Sequence, residues 1–188
     1  MVQVVQTVVP LLCMAVSAGA GAMTTEDLKV GEQGPAYVVE FEAVLDAPPD
    51  AVMAVLQNYS SYPELDDRVQ AAHLEGELDG RPVLYTRLRG CVGSVLCRDV
   101  ERYELLTARE RLLVADEIPG RGDVARGRTE TRLEARGKGT RVSYRTFFEP
   151  AFWMPRWMVR SAMRRTLEEG TRSMFANVET IARGKPTL

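Results

Sequence analysis

The chain has 188 residues, 45% hydrophobic and 27% charged, with 24 basic and 26 acidic residues and a formal net charge of -2. That composition excludes a disordered chain and one that spans a membrane throughout, and the near-neutral balance gives no support to nucleic-acid binding. One domain of this length buries about two thirds of its unfolded surface, so neither a metal nor a disulfide is required for folding.

Residues 1–22, MVQVVQTVVPLLCMAVSAGAGA, carry no charge. An apolar run from Val8 to Val16 gives way to A-x-A patterns at Ala18–Ala20 and Ala20–Ala22, as in a secretory signal peptide, although the leading region lacks Lys or Arg. A transmembrane anchor and a lipoprotein signal at Cys13 are the competing readings. The run falls short of the ~20 apolar residues of a span, and Leu12 stands where a lipidated cysteine wants a small neighbour. The expectation is a signal peptide over 1–22 and export to the periplasm. Residues 23–36 are polar with Gly and Pro, and read as a linker.

A period of two then sets in. Tyr37, Val39, Phe41, Ala43 and Leu45 share one face and Glu40, Glu42 and Asp46 the other, which predicts a half-buried strand. In APPDAVMAVLQN, Pro48 and Pro49 suit a first helical turn, Asp50 suits its positive end, and Val52, Val55 and Leu56 line one side. Pro63 in YSSYPELDD marks a second short helix or turn. From Arg68 to Phe148, Gly-bearing turns separate strands predicted at 68–77, 81–91, 96–106, 110–117, 123–135 and 140–148, an antiparallel meander. After Pro150 the period lengthens: Trp157, Met158, Ala162, Met163, Leu167, Gly170, Met174, Val178 and Ile181 recur at helical steps to about Ala182.

One long helix covers an antiparallel sheet only if the sheet curls around it, and incomplete contact between the two leaves an apolar cavity. The predicted fold is therefore α+β: a curved antiparallel sheet of about seven strands gripping a C-terminal helix, with two short helices after the first strand. The domain is expected over 37–183, with a tail at 184–188.

The stretch LDAPPDAVMAVLQNYSSYPEL, followed by strands and a long final helix, resembles the START-like helix-grip superfamily, in the group of polyketide cyclases and coenzyme Q-binding START proteins. Leu65 stands where that pattern often has Trp. The resemblance implies the fold over about 37–182 and leaves the ligand open, because the fold hosts many activities.

Cys91 and Cys97 flank a predicted hairpin turn and suit a cross-strand disulfide in an exported protein, with two buried free thiols as the alternative. Cys-x5-Cys without further Cys or His ligands is a poor zinc site, and no metal or cofactor is expected. His73, the single histidine, has no partnered nucleophile or elbow motif in the sequence, so it reads as structural. Glu64, Asp66, Asp67 and Arg68 read as a solvated turn. Arg126, Arg128, Arg132, Arg136, Lys138 and Arg141 alternate with Glu130 and Glu134 and read as a salt-bridged outer face.

FFEPAFWMPRWM concentrates aromatic rings where the last strand meets the helix, either as core or as a pocket wall. The expected function is non-catalytic binding or transport of one hydrophobic molecule, a lipid or an isoprenoid quinone, by a monomer with transient membrane contact. The candidate contacts are Tyr62, Leu65, Leu88, Tyr144, Phe148, Trp153, Trp157 and Met158. No catalytic residue is assigned. A cyclase- or hydrolase-type enzyme is the alternative, with Tyr62, His73, Asp116 or Tyr144 as its candidate polar groups.

Overall fold

The structure is a computed structural model that describes residues 23–92, 96–153 and 156–184, with side chains except at 92, 96 and 156–158. The expected signal peptide at 1–22 and all of the expected tail at 184–188 but Gly184, the last residue of the final helix, lie outside the described residues.

Eight strands form one antiparallel sheet: β1 (Thr24–Gln33), β2 (Ala36–Leu45), β3 (Val69–Leu78), β4 (Arg81–Val92), β5 (Leu96–Arg109), β6 (Leu112–Glu117), β7 (Val124–Arg136) and β8 (Gly139–Pro150). Their spatial order is β1-β2-β8-β7-β6-β5-β4-β3, so the meander from β3 to β8 brings the chain back beside β2. Two short helices, α1 (Pro49–Leu56) and α2 (Tyr62–Leu65), join β2 to β3, and the helix α3 (Arg156–Gly184) lies across the inner face. The helix-grip reading holds, with eight strands among the described residues rather than about seven.

The extra strand is β1, which falls in the segment read as a linker. Its sequence, TTEDLKVGEQ, does not alternate cleanly, and its register with β2 slips between Thr25 and Asp27. Backbone pairing with β2 holds it, with Met23 and Leu28 packed against the main core. An edge strand paired on one side needs little apolar patterning of its own, which is why composition hid it.

In β2, Tyr37, Val39, Phe41, Ala43 and Leu45 are all buried, as their period of two requires. α1 starts with Pro49 in its first turn, where the missing N–H costs nothing, and buries Val52, Met53, Val55 and Leu56. The polar β7 also pairs throughout, because Thr131 and Leu133 face inward while its arginines meet acids on the outer face. Arg126 pairs with Glu149 at 2.5 Å, Arg128 with Asp116 at 2.6 Å and Arg132 with Glu130 at 2.9 Å.

The grip is tight at one end only. Phe175, Val178 and Ala182 of α3 pack against Phe41, Leu45, Val142 and α1 in the principal core. Phe175 stacks on Phe41 with ring centroids 5.0 Å apart and meets Tyr144 edge-on at 5.3 Å. A second cluster, Val69, Ala72, Leu84, Leu106 and Ala115, lies on β3–β6.

Candidate functional site

Between these clusters the N-terminal half of α3 stands away from the sheet. Small or flexible side chains face each other there: Met163, Thr166, Leu167 and Gly170 on α3, and Thr86, Ala115, Thr129, Thr131 and Thr146 on the strands. They cannot fill the distance that Phe175 fills one turn further on, and a cavity of about 300 Å³ remains. Its rim includes the exposed Arg89 and Gly90 at the end of β4. Most of its wall is aliphatic or aromatic, the composition expected of a site for an apolar guest.

Tyr62, Leu65, Leu88, Tyr144 and Phe148 are on this wall. Tyr62 comes from α2, whose Pro63 sets its first turn, and its hydroxyl donates to the Leu56 carbonyl at 2.9 Å. Burial raises the Tyr62 and Tyr144 phenols above the ordinary tyrosine range, so both stay protonated at neutral pH. Phe148 is stacked on Tyr37 with centroids 5.6 Å apart.

Trp153 is not on the wall. It lies five residues past Phe148, beyond the end of β8, and 85% of its surface is exposed. A ring at the crossing from strand to helix was expected to turn inward, yet neither element encloses it there. The Trp157 and Met158 side chains lie outside the described residues. His73 is also off the wall: it is exposed, opposite Tyr85 in the β3–β4 register, with ring centroids 5.0 Å apart. Asp116 is on the outer face, bonded to Arg81 at 3.1 Å and Arg128 at 2.6 Å. Of the four polar candidates for an enzyme, only the two tyrosines reach the cavity.

The sequence reading missed a buried charged cluster. Glu104 on β5 and Glu117 on β6 are direct register partners. Arg102 bridges them, donating through Nε to Glu117 and through Nη2 to Glu104, each at 2.8 Å. Two carboxylates directly opposite each other repel, and the guanidinium offsets this. Arg102 and Glu104 are on the cavity wall, whereas Glu117 lies behind them with its side chain fully covered and Oε2 unbonded. Burial drives the Glu117 carboxyl up to about 7, against the pull of Arg102 and with the repulsion of Glu104. Burial alone would lower the Arg102 guanidinium, but the two glutamates outweigh it and hold the charge in place.

The turn residues Asp66 and Arg68 also differ from the solvated reading. Arg68 donates Nε to Asp66 Oδ1 at 2.8 Å, closes a second bond from Nη2 to Oδ2, and donates Nη1 to the Thr166 carbonyl of α3 at 3.0 Å. Both residues border the cavity, so this pair fastens the α2–β3 corner to the helix above the hollow.

One signal for the missed cluster was available. Val100, Arg102, Glu104 and Leu106 share a strand face, and two opposite charges between two apolar residues point to a paired, covered site. Leu113, Ala115 and Glu117 repeat the pattern on β6.

Cys91 and Cys97 are joined, with Cα atoms 4.0 Å apart at paired positions of the β4–β5 ladder. Among the described residues no group of three or more His, Cys, Asp or Glu is placed to hold a metal, and no helix is long and apolar enough to cross a membrane.

Residues 37–181 match the family described as polyketide cyclase / dehydrase and lipid transport. The match spans most of the chain, and the protein belongs to that family. No curated protein matches it in sequence. Among solved structures it is similar to the protein TTHA0849 from Thermus thermophilus, with TM-score 0.66 and 16% identity over 80% of this chain and 99% of that one. It is also similar to a STAR-related lipid transfer protein from Xanthomonas axonopodis, with TM-score 0.58 and 16% identity over 83% of this chain and 98% of that one. The Zhui aromatase/cyclase from Streptomyces sp. R1128 aligns with TM-score 0.55 and 16% identity over 79% of this chain and 93% of that one. These likenesses show the fold; they include both a carrier and an enzyme.

Proposed function

We propose that this member of the polyketide cyclase / dehydrase and lipid transport family binds and carries one hydrophobic molecule, a lipid or an isoprenoid quinone, without changing it. The observation that carries the reading is the apolar cavity of about 300 Å³ between the sheet and the N-terminal half of α3. A guest that loses ~300 Å² of apolar surface there gains about 7 kcal/mol before the cost of immobilisation, enough for reversible capture. Tyr62, Leu65, Leu88, Tyr144 and Phe148 are its proposed contacts. The protein acts as a monomer of one domain after export to the periplasm. The Cys91–Cys97 bridge supports export, since such bonds persist in oxidising compartments. Membrane contact is transient, with the exposed Trp153 as its anchor.

One observation favours a second reading. Arg102 and Glu104 bring a charged pair to the cavity wall, the kind of converging polar groups an enzyme of cyclase or hydrolase type requires. Native mass spectrometry of protein purified from its own host, followed by lipid extraction, separates the two. Carriage predicts a reproducible apolar adduct. Empty protein that turns over a polyketide or an ester overturns carriage in favour of catalysis.

A further inference from the structure

The charged cluster leaves two polar atoms for a guest. Arg102 uses Nε and Nη2 on the glutamates, and Glu104 accepts through Oε1. Among the described residues, Arg102 Nη1 and Glu104 Oε2 make no hydrogen bond. Glu104 is only 5% exposed and stands on the cavity wall. Around the pair the wall carries Leu84, Val100 and Leu106, with Thr86 opposite Arg102 in the β4–β5 register. An acceptor and a donor on one charged pair at the cavity wall, neither bonded within the protein, favour a guest that satisfies both.

We infer that the cavity selects an uncharged guest bearing a hydroxyl, which donates to Glu104 Oε2 and accepts from Arg102 Nη1, and that Glu104 turns anionic guests away. This rests on the carrier reading above and adds the chemical class of the guest.

Alternative head groups fail on charge or on hydrogen bonding. A carboxylate or phosphate beside Nη1 gains one guanidinium that is already shared by two glutamates, and it lies against Glu104 in a low-dielectric site. An ammonium suits Glu104 but lies against the guanidinium. A ketone or ester accepts from Nη1 and leaves Glu104 Oε2 unpaired. A hydroxyl is both donor and acceptor and brings no charge into the hollow. The selectivity comes from the count of charges, one guanidinium to two carboxylates. Removing the charge of Glu104 balances the cluster and frees Arg102 to take an anion.

Isothermal titration at pH 8 with naphthalene, 2-naphthol and 2-naphthoate tests this, on the wild-type protein and on Glu104→Gln. In the wild type, 2-naphthol should bind at least about tenfold tighter than naphthalene and at least about tenfold tighter than 2-naphthoate, about the effect of one hydrogen bond to a charged group. In Glu104→Gln, 2-naphthoate should gain at least about tenfold, with an unchanged near-UV circular dichroism spectrum reporting an intact fold. Three results overturn the inference and leave carriage standing: naphthalene binding as well as 2-naphthol, 2-naphthoate matching 2-naphthol in the wild type, or Glu104→Gln still refusing 2-naphthoate. If none of the three binds the wild type, the carrier reading fails and the inference with it.

Discussion

Gly170 offers a test of how α3 is held over the cavity. A Cβ at this position would sit 1.9 Å from Arg68 Nη2 and 2.4 Å from its Cζ, well inside contact distance. In Gly170→Ala the guanidinium therefore moves, and its bond to the Thr166 carbonyl, 3.0 Å in the native protein, is lost. A hydrogen bond from a charged donor is worth about 1.5–3 kcal/mol. Alanine in a helix interior returns about 1 kcal/mol over glycine. The net expectation is a loss of about 0.5–2 kcal/mol, or ~1–8 °C in melting temperature for a domain of this size. In an Arg68→Ala background the obstacle is gone, and the same Gly170→Ala change should stabilise by about 1 kcal/mol. Scanning calorimetry of the wild type, both single variants and the double variant measures the sign in each background. If Gly170→Ala stabilises the wild type as it would any exposed helix, the clamp does not exist.

Glu117 sets a pH dependence. Its carboxyl is raised from 4.5 to about 7, so the folded protein holds a proton that the unfolded chain releases. That contribution is fully present below pH 4.5 and is lost as pH rises through about 7; it amounts to on the order of 3 kcal/mol. Urea denaturation across pH 4.5–8 should show this loss flattened in Glu117→Gln, and an unchanged slope would place the titration elsewhere. Phe175→Ala, which removes a fully buried ring between Phe41 and Tyr144, should cost about 3–5 kcal/mol in the same assay. Trp153→Ala should change stability by less than about 0.5 kcal/mol, because the ring is mostly in water; a loss above about 1 kcal/mol would mean that the ring is packed. Replacing Cys91 and Cys97 by alanine should cost about 2 kcal/mol, the value for so short a closed loop, and non-reducing peptide mapping should recover the bridged peptide.

The sequence by itself determined the topology from β2 onward and left β1 hidden. The period of two in Tyr37–Leu45, the glycine-bearing turns between β3 and β8, and the helical spacing after Pro150 are local signals, and each became the element it specified. The Cys91–Cys97 pairing followed from the same kind of reading, because a short hairpin fixes which residues stand opposite. Tertiary structure alone decided which charges are buried. Arg102, Glu104 and Glu117 look like ordinary surface residues one strand at a time, and they become a site only when the β5–β6 register sets Glu104 opposite Glu117. Trp153 shows the converse: its size suggested burial, and its place beyond the end of β8 left it in water. The hollow itself also comes from packing. A run of threonines on the sheet and Gly170 on α3 are unremarkable apart, but facing each other across the grip they leave a volume that no local pattern encodes.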